Sequence, residues 1–586
     1  MTATLPSLLA ERAATSPSAT AYLQRDGAGR WLPLTWQEFA DQVDRLSRAL
    51  TAAGLRRGDR LALIAPVSLK WELLHHAALA VGAAVVGLDA HDLPRRIADM
   101  AEQSDVTAFV VADPAVLSGL DERRLASARF VLLLEPAGQV PASIAERALN
   151  WDTLLAATTA AATAEAQIAP VAPEDIATII FTSGTTGQPR GIAYTHGQVC
   201  LAVDEICATF SFIGDTSRLL CWLPLSNLFQ RIVNLAATKQ GAATYLLSDP
   251  RQVMQAVSEV APDIFVGVPR FFEKLLEGVR AGIKSQPPLR RWIAERSWAL
   301  GRQFSEHKLR GTQPTLTLRL LHGLADRWVL RQIRSVMGHR LRLMVTGSAP
   351  IGAQSLHEFH ALGWLVLEAY GLSENIVPIA MNRPDDFCFG TVGRPVASNE
   401  VVLAEDGAVK VRGPGLFRGY VGGTGPGPFD AEGFYTTGDL GAWDTKGHLR
   451  LIGRSGDLFK TSTGRRIAPA HVEATLRQLP GVDQALVVGA GRKYPVALLT
   501  VGGRLGQEAR DRLDRALERC RSELAEHECP RGVVLLERPF GIEQGELTPN
   551  LKLRRAAIEA LHAPAIDALY ERLDARPLSD RSILIR

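Results

Sequence analysis

Two periods of apolar residues alternate along the first four hundred positions. A helical pattern over Trp36 to Ala53 gives way to short apolar runs at Arg60 to Ile64 and Thr107 to Val111, which read as strands. Repetition of that alternation predicts an α/β fold with largely parallel sheets. The longest apolar run, Ala77 to Leu88, has twelve residues, short of the ~18 a membrane-spanning helix needs, and reads as a buried helix passing into a strand. Trp151 to Pro170, rich in Ala and Thr, reads as a surface helix and linker. Gln286 to Arg340, rich in Arg, Trp and Leu, reads as a solvated amphipathic helical insertion rather than a nucleic-acid surface. After Gly- and Pro-rich punctuation at Gly413 to Pro428, a second compositional unit starts near Gly453 and reads as a small α+β domain. In it Ala509, Leu513, Ala516, Leu517, Cys520 and Leu524 share one helical face, with Pro530 as the stop and Gly532 to Glu537 as a strand. No repeat with a period of 20 to 50 residues is visible.

Length and charge narrow the function classes. At a prior of about 150 residues per domain, 586 residues make roughly four domain-sized units with a large core. The composition, 46% hydrophobic and 22% charged, is that of an ordinary globular protein and argues against a disordered, collagen-like or solenoid-dominated chain. The 65 Lys and Arg against 62 Asp and Glu leave a net charge of +3, too balanced for a broad nucleic-acid footprint. Six cysteines, none in a CxxC pair, argue against a disulfide framework and for a reducing compartment. The first fifteen residues lack the basic and apolar regions of a signal peptide, so the expected location is cytoplasmic.

The most informative stretch is Asp175 to His196, DIATIIFTSGTTGQPRGIAYTH. An apolar strand, Ile176 to Phe181, runs into Thr182, Ser183, Gly184, Thr185, Thr186 and Gly187, and a second strand follows Arg190. Two glycines allow close backbone approach, and four hydroxyls with successive N–H groups offer donors to phosphate oxygens, so the loop can cradle a polyphosphate. A P-loop is excluded, because Pro189 stands five positions after Gly184 and no Lys-Ser or Lys-Thr follows. The string resembles the signature loop of the adenylate-forming superfamily, which includes acyl-CoA synthetases, luciferases and peptide-synthetase adenylation domains. Further motifs follow in that family's order: VTGSAP (Val345 to Pro350), EAYGLSE (Glu368 to Glu374), RGPGLFRGY from Arg412, FYTTGDLG from Phe434, GRSGDLFKTSTGRRIAP from Gly453, and LTPNLKLRR (Leu547 to Arg555).

The resemblance implies a large N-terminal adenylation domain, residues 1–453, and a small mobile C-terminal lid, 454–586, turning about a hinge near 454–457 at Gly456. It implies that Thr182, Ser183, Gly184, Thr185, Thr186, Gly187 and Arg190 meet the phosphates of ATP. Gly347, Ser348, Ala349, Tyr370 and Gly371 would form the adenine pocket, with Ser373 near the α-phosphate. Glu374 would be the Mg²⁺ ligand, Asp439 and Arg454 the ribose contacts, and Lys552, with Arg555 three residues on, the catalytic lysine; Thr182 joins Lys552 and Glu374 as a catalytic group. A carboxylate suits a ribose diol and a mobile ammonium suits a bridge between two anions. Gly464 and Arg465, with Arg466, would face coenzyme A, whereas Lys460 and Lys493 read as surface residues.

Three positions depart from the family: Arg190 replaces a lysine, Gly456 an Asp or Lys, and Asn227 in LPLSNLF a histidine. They keep a non-catalytic nucleotide-binding homologue open as an alternative. Val268 to Val279 and the helical insertion resemble the long-chain fatty acyl-CoA synthetase branch. That implies activation of a medium- to long-chain fatty acid to acyl-AMP, then thioester formation with coenzyme A, with release of AMP and pyrophosphate. Expected acyl-site residues are Asn227, Phe229, Ile232, Val233, Phe265, Val266 and Val268. An acyl carrier protein is the alternative acceptor, no nucleic acid is expected, and a peripheral membrane contact stays open.

Overall fold

The computed structural model describes residues 4–135, 142–161, 170–182, 189–423, 428–503, 507–520, 524–541, 543–547, 553–575 and 583–585. Its largest sheet takes the strands Ala148–Asn150, Val131–Leu133, Ala108–Val111, Arg60–Ile64, Ala84–Gly87, Ile176–Phe181 and Gly191–Thr195 in that spatial order. All its pairings are parallel except the last, where Ile176–Phe181 and Gly191–Thr195 form an antiparallel hairpin. The run Ala77 to Leu88 is a buried helix end, Leu69–Val81, turned at Gly82 in the left-handed region into strand Ala84–Gly87.

A second sheet orders Ile264–Gly267, Leu343–Thr346, Val366–Leu372, Asn375–Met381 and Arg394–Pro395, parallel over its first three strands and antiparallel beyond. A third is mixed, Arg218–Cys221, Ala243–Leu246, Thr20–Arg25 and Trp31–Thr35, and a fourth, from Glu400–Leu403 to Leu449–Arg454, is wholly antiparallel. The fold class is α/β with mixed sheets, and the expected parallel pairing holds for the first sheet up to its last hairpin, for two of the third sheet's three pairings and for half of the second's. From Phe459 on, a short hairpin and a four-stranded mixed sheet pack with helices Pro469–Leu476, Gln507–Cys520 and Arg555–Asp574 into a smaller α+β unit. Helix Gln507–Cys520 ends well before Pro530, and Leu524 is buried beyond it, so Pro530 is not its stop.

The large core contains charge. Helix Leu228–Gln240 sends Arg231, fully buried, to donate through Nη1 to Thr178 Oγ1 at 2.8 Å, and Asn234 Nδ2 donates to Glu72 Oε1 at 2.6 Å. Burial raises the Glu72 carboxyl, lowers His75 and His76, and brings Arg231 down to about 10, while the Glu72 charge partly restores it. Removing one partner of such a group costs more than the pair contributes.

The expected helical insertion is present as helices Pro288–Leu309 and Leu316–Ala325, followed by a π turn over Asp326–Leu330. Ala294, Ser297, Trp298, Gly301 and Ser305 form the buried face of the first helix. Gly301 lies against helix Ala353–Ala361 so closely that a Cβ would stand 2.1 Å from the Ala361 carbonyl oxygen. Beside it Arg302 bridges to Glu358 at 3.0 Å, and Ser305 Oγ meets His360 Nδ1 at 2.6 Å. Replacing Gly301 by Val forces the helices apart and is expected to cost roughly 1–3 kcal/mol. A thermal melt of Gly301→Val at the wild-type temperature would show that this contact does not hold the insertion.

Candidate active site

The second sheet ends its parallel strands at one place. Strand Leu343–Thr346 runs out into Gly347, Ser348 and Ala349, next to strand Val366–Leu372, with Thr346 opposite Glu368 in register. Ligands of open α/β sheets bind at the carboxyl ends of such strands. Three local features mark the spot. Ser348 holds φ at 69°, a left-handed conformation uncommon outside glycine. A Cβ on Gly347 would come within 3.3 Å of the Ala369 carbonyl oxygen. Thr346 Oγ1 and Glu368 Oε2 are buried without a hydrogen-bond partner in the protein. Burial pushes the Glu368 carboxyl up to about 8.

Strand Val366–Leu372 then turns through Ser373 and Glu374 into Asn375–Met381, so Glu374 sits at a hairpin tip. Tyr194 donates its hydroxyl to the Ser373 carbonyl at 2.5 Å, tying this tip to the hairpin of strands Ile176–Phe181 and Gly191–Thr195. Tyr420 donates to Glu374 Oε1 at 2.9 Å, and the Arg190 guanidinium lies over the Tyr420 ring at 5.0 Å. Burial and the neighbouring Glu374 raise the Tyr420 hydroxyl. Asp439, on strand Tyr435–Trp443, accepts from the Tyr370 hydroxyl at 2.6 Å through one oxygen and from Arg454 Nε at 3.1 Å through the other. Asp439 and Arg454 are direct register partners across the sheet.

Glu374, Tyr370, Ser373, Gly371, Gly347, Ser348, Ala349, Asp439, Arg454 and Arg190 are thus carried by connected elements. Ser183 to Gly187 lie outside the described residues, but Thr182 N donates to the Arg190 carbonyl at 3.0 Å and closes the mouth of that loop. Lys552 also lies outside the described residues. Its neighbour Arg555 donates to both oxygens of Glu473, at 2.8 and 2.5 Å, and stands 3.8 Å from Asp457. Gly464, φ 80°, sits in the turn between Phe459–Lys460 and Arg466–Ile467, with Arg465 exposed beside it. At Gly456 a Cβ would meet nothing within 4 Å.

A small apolar pocket of about 30 Å³ lies behind the strand ends, with Ile206, Phe210, Phe229, Val233, Val266 and Met381 in its wall and Val345 and Ala369 on its floor. Of the expected acyl-site residues, Phe229, Val233 and Val266 line it; Ile232, Phe265, Val268 and Asn227 do not. Strand alternation explains Phe265, since Ile264 and Val266 share the pocket face and Phe265 stacks on Trp222 on the other. Helical period explains Ile232, because Phe229, Val233 and Ala236 are the residues that align. Val268 precedes helix Pro269–Lys284 and packs on the core, and exposed Asn227 caps helix Leu228–Gln240 by accepting from Phe229 N at 3.0 Å. Sequence reasoning passed over Tyr420 and Tyr194, although Tyr420 closes the RGPGLFRGY motif.

Comparison with known proteins now decides the family. Residues 9–421 match the model of the AMP-binding enzyme family, and residues 456–574 match that of the AMP-binding enzyme C-terminal domain. The chain belongs to the AMP-binding enzymes. Within this adenylate-forming superfamily it is 30% identical over 570 residues to the long-chain-fatty-acid–CoA ligase FadD15 of Mycobacterium bovis, covering 93% of each chain. It is 25% identical to the human long-chain-fatty-acid–CoA ligase 1, over 92% of this chain and 83% of that one. Among solved structures, the anthranilate CoA ligase AuaEII in complex with anthranoyl-AMP superposes with a TM-score of 0.74 at 20% identity, covering 96% of this chain and 98% of that one. That likeness establishes the fold of an AMP-binding enzyme.

Glu368 makes stability depend on pH. Its folded value of about 8 lies above the ordinary 4.5, so the folded state keeps a proton that the unfolded chain releases. The contribution is complete below about pH 4.5 and is lost as pH rises through 8, by up to roughly 5 kcal/mol. Glu368→Gln is expected to flatten the fall in melting temperature between pH 5 and 8; an equal fall in both proteins contradicts the assignment.

Proposed function

We propose that this AMP-binding enzyme activates a medium- to long-chain fatty acid with ATP and passes the acyl group to coenzyme A. The observation that carries this reading is the wholly apolar pocket whose floor, Val345 and Ala369, belongs to the strands that end at the candidate nucleotide site. An alkyl chain binds there by accumulated burial at ~0.8 kcal/mol per methylene, with its carboxylate directed at the strand ends. The names of the relatives support the substrate class.

In this reading the acid's carboxylate oxygen attacks the α-phosphorus of ATP, a new O–P bond forms, and pyrophosphate leaves. Thr182 to Gly187 and Arg190 hold the phosphates, and Lys552 bridges the carboxylate and the α-phosphate while charge develops between them. Glu374 fits one Mg²⁺ of the MgATP substrate. Its half-buried carboxylate, fixed by Tyr420, retains free lone pairs and would hold the ion, which would supply positive charge against the phosphates. Asp439, oriented by Tyr370 and Arg454, faces the ribose; Gly347, Ser348, Ala349, Tyr370 and Gly371 surround the base. Rotation of residues 456 onward about Gly456 then withdraws Lys552 and brings Gly464 and Arg465 toward coenzyme A. Its thiolate attacks the acyl carbon and AMP departs.

Pyrophosphate exchange with acids of graded length tests the reading: exchange should strengthen with chain length. Ala236→Trp, which fills the pocket, should abolish exchange with long acids and spare short ones. Lys552→Ala should lose adenylate formation by a factor of 100 or more, by ~3 kcal/mol of transition-state stabilisation, yet still convert supplied acyl-AMP to acyl-CoA. Chain-length-independent exchange in both proteins would refute the pocket assignment.

A further inference from the structure

Among the described residues, nine of the sixteen exposed large apolar side chains lie between residues 289 and 336, in the helical insertion. On helix Leu316–Ala325 and the turn after it, Leu316, Leu320, Leu324 and Trp328 recur every four residues and are 74, 66, 58 and 71% exposed. A four-residue spacing sets them along one stripe, and Leu289 and Trp292, at the start of helix Pro288–Leu309, are open as well. The face of that first helix that packs on the protein is a different one, built around Trp298 and Gly301. The apolar stripe is therefore not core left partly uncovered. An exposed apolar stripe of this kind on a water-facing surface marks an interaction site.

Charge identifies the partner. From Gln286 to Arg340 the chain carries eleven Lys and Arg and three acids, 11 − 3 = +8, in a protein whose net charge is +3. The three acids, Glu295, Glu306 and Asp326, are each bound by an arginine of the same segment. Arg290, Arg296, Lys308, Arg319, Arg327 and Arg331 are exposed and have no salt bridge among the described residues. A two-fold contact between copies would set +8 against +8, which self-association does not favour. Leucines and tryptophans flanked by arginines suit an interface that is apolar below and anionic above. No helix among the described residues is long and apolar enough to cross a membrane, so the contact is with the surface.

We propose that helices Pro288–Leu309 and Leu316–Ala325 dock this protein on an anionic lipid bilayer, with the leucine and tryptophan stripe in the headgroup boundary and the arginines on lipid phosphates. Helix Pro269–Lys284 leads into the pair, and its Phe271 packs on Phe265, on the far face of the strand whose Ile264 and Val266 line the pocket. Docking would therefore place the bilayer against an element that reaches the pocket wall. The proposal does not rest on the identity of the acid.

Vesicle co-sedimentation of the full chain tests it, with vesicles of phosphatidylcholine alone and with one third phosphatidylglycerol. Wild type should partition onto the anionic vesicles and be released by high salt. Leu320→Glu with Leu324→Glu, and separately Arg319→Glu with Arg327→Glu, should each lower the partition coefficient roughly tenfold. Both variants should keep the wild-type melting temperature and the wild-type pyrophosphate exchange with a short, water-soluble acid. Wild type remaining in the supernatant with both vesicles overturns the proposal, as does unchanged partition of the leucine variant. A wild-type dimer that the leucine variant breaks, with vesicle binding unaltered, would assign the face to a second copy instead. Because partition is read without turnover, failure of the acid-activation reading would show in the exchange assay alone.

Discussion

The carboxylate of Asp439 joins two sheets that share no strand. One oxygen takes the Tyr370 hydroxyl from the second sheet, the other takes Arg454 Nε from the last strand of the antiparallel sheet. Charge-assisted bonds of this kind are shorter and about twice as strong as neutral ones, and Asp439 is buried, so water competes little for it. The bond fixes Tyr370, two residues from the sheet's hairpin turn, and that turn carries Glu374. It also fixes Arg454, the strand end from which the chain leaves for the smaller unit. Asp439 thereby sets the geometry of the candidate nucleotide-site residues and of the point where the C-terminal unit is attached.

The apolar pocket depends on a comparable anchor. Helix Leu228–Gln240 turns Phe229 and Val233 to the pocket, while Gln230, Arg231 and Asn234 are buried in a polar network with Glu72 and Thr178. Thr178 lies on the strand that leads into the phosphate loop. One helix therefore positions the pocket wall and is itself held by the strand that leads to Thr182. In the proposed reading, this packing brings an alkyl chain and a triphosphate to a common point without a long loop.

Much of this arrangement was legible in the sequence, for reasons that differ by element. Helix Trp36–Ala52 and strands Arg60–Ile64 and Ile176–Phe181 follow from apolar period alone, because each buries a single continuous face or run. The motif order located Glu374, Asp439 and Arg454, and the structure brings the last two together as register partners. The pocket wall was half legible. Burial marks Phe265 as strongly as Val266, and only the strand's alternation relative to a cavity that no local pattern reveals separates them. Tyr420 escaped because its significance is a contact across 46 residues with Glu374. The end of helix Gln507–Cys520 was misplaced because Leu524 continues the apolar spacing after the helix has stopped.

The central claim is that a carboxylic acid attacks the α-phosphorus of ATP at the strand ends beside Asp439 and Glu374. The most direct measurement is the fate of ¹⁸O from a doubly labelled long-chain fatty acid in a single turnover with ATP and coenzyme A. The account predicts one labelled oxygen in the phosphate of AMP and one retained in the thioester carbonyl. Label appearing in inorganic phosphate with formation of ADP, or unlabelled AMP alongside acyl-CoA, would contradict it.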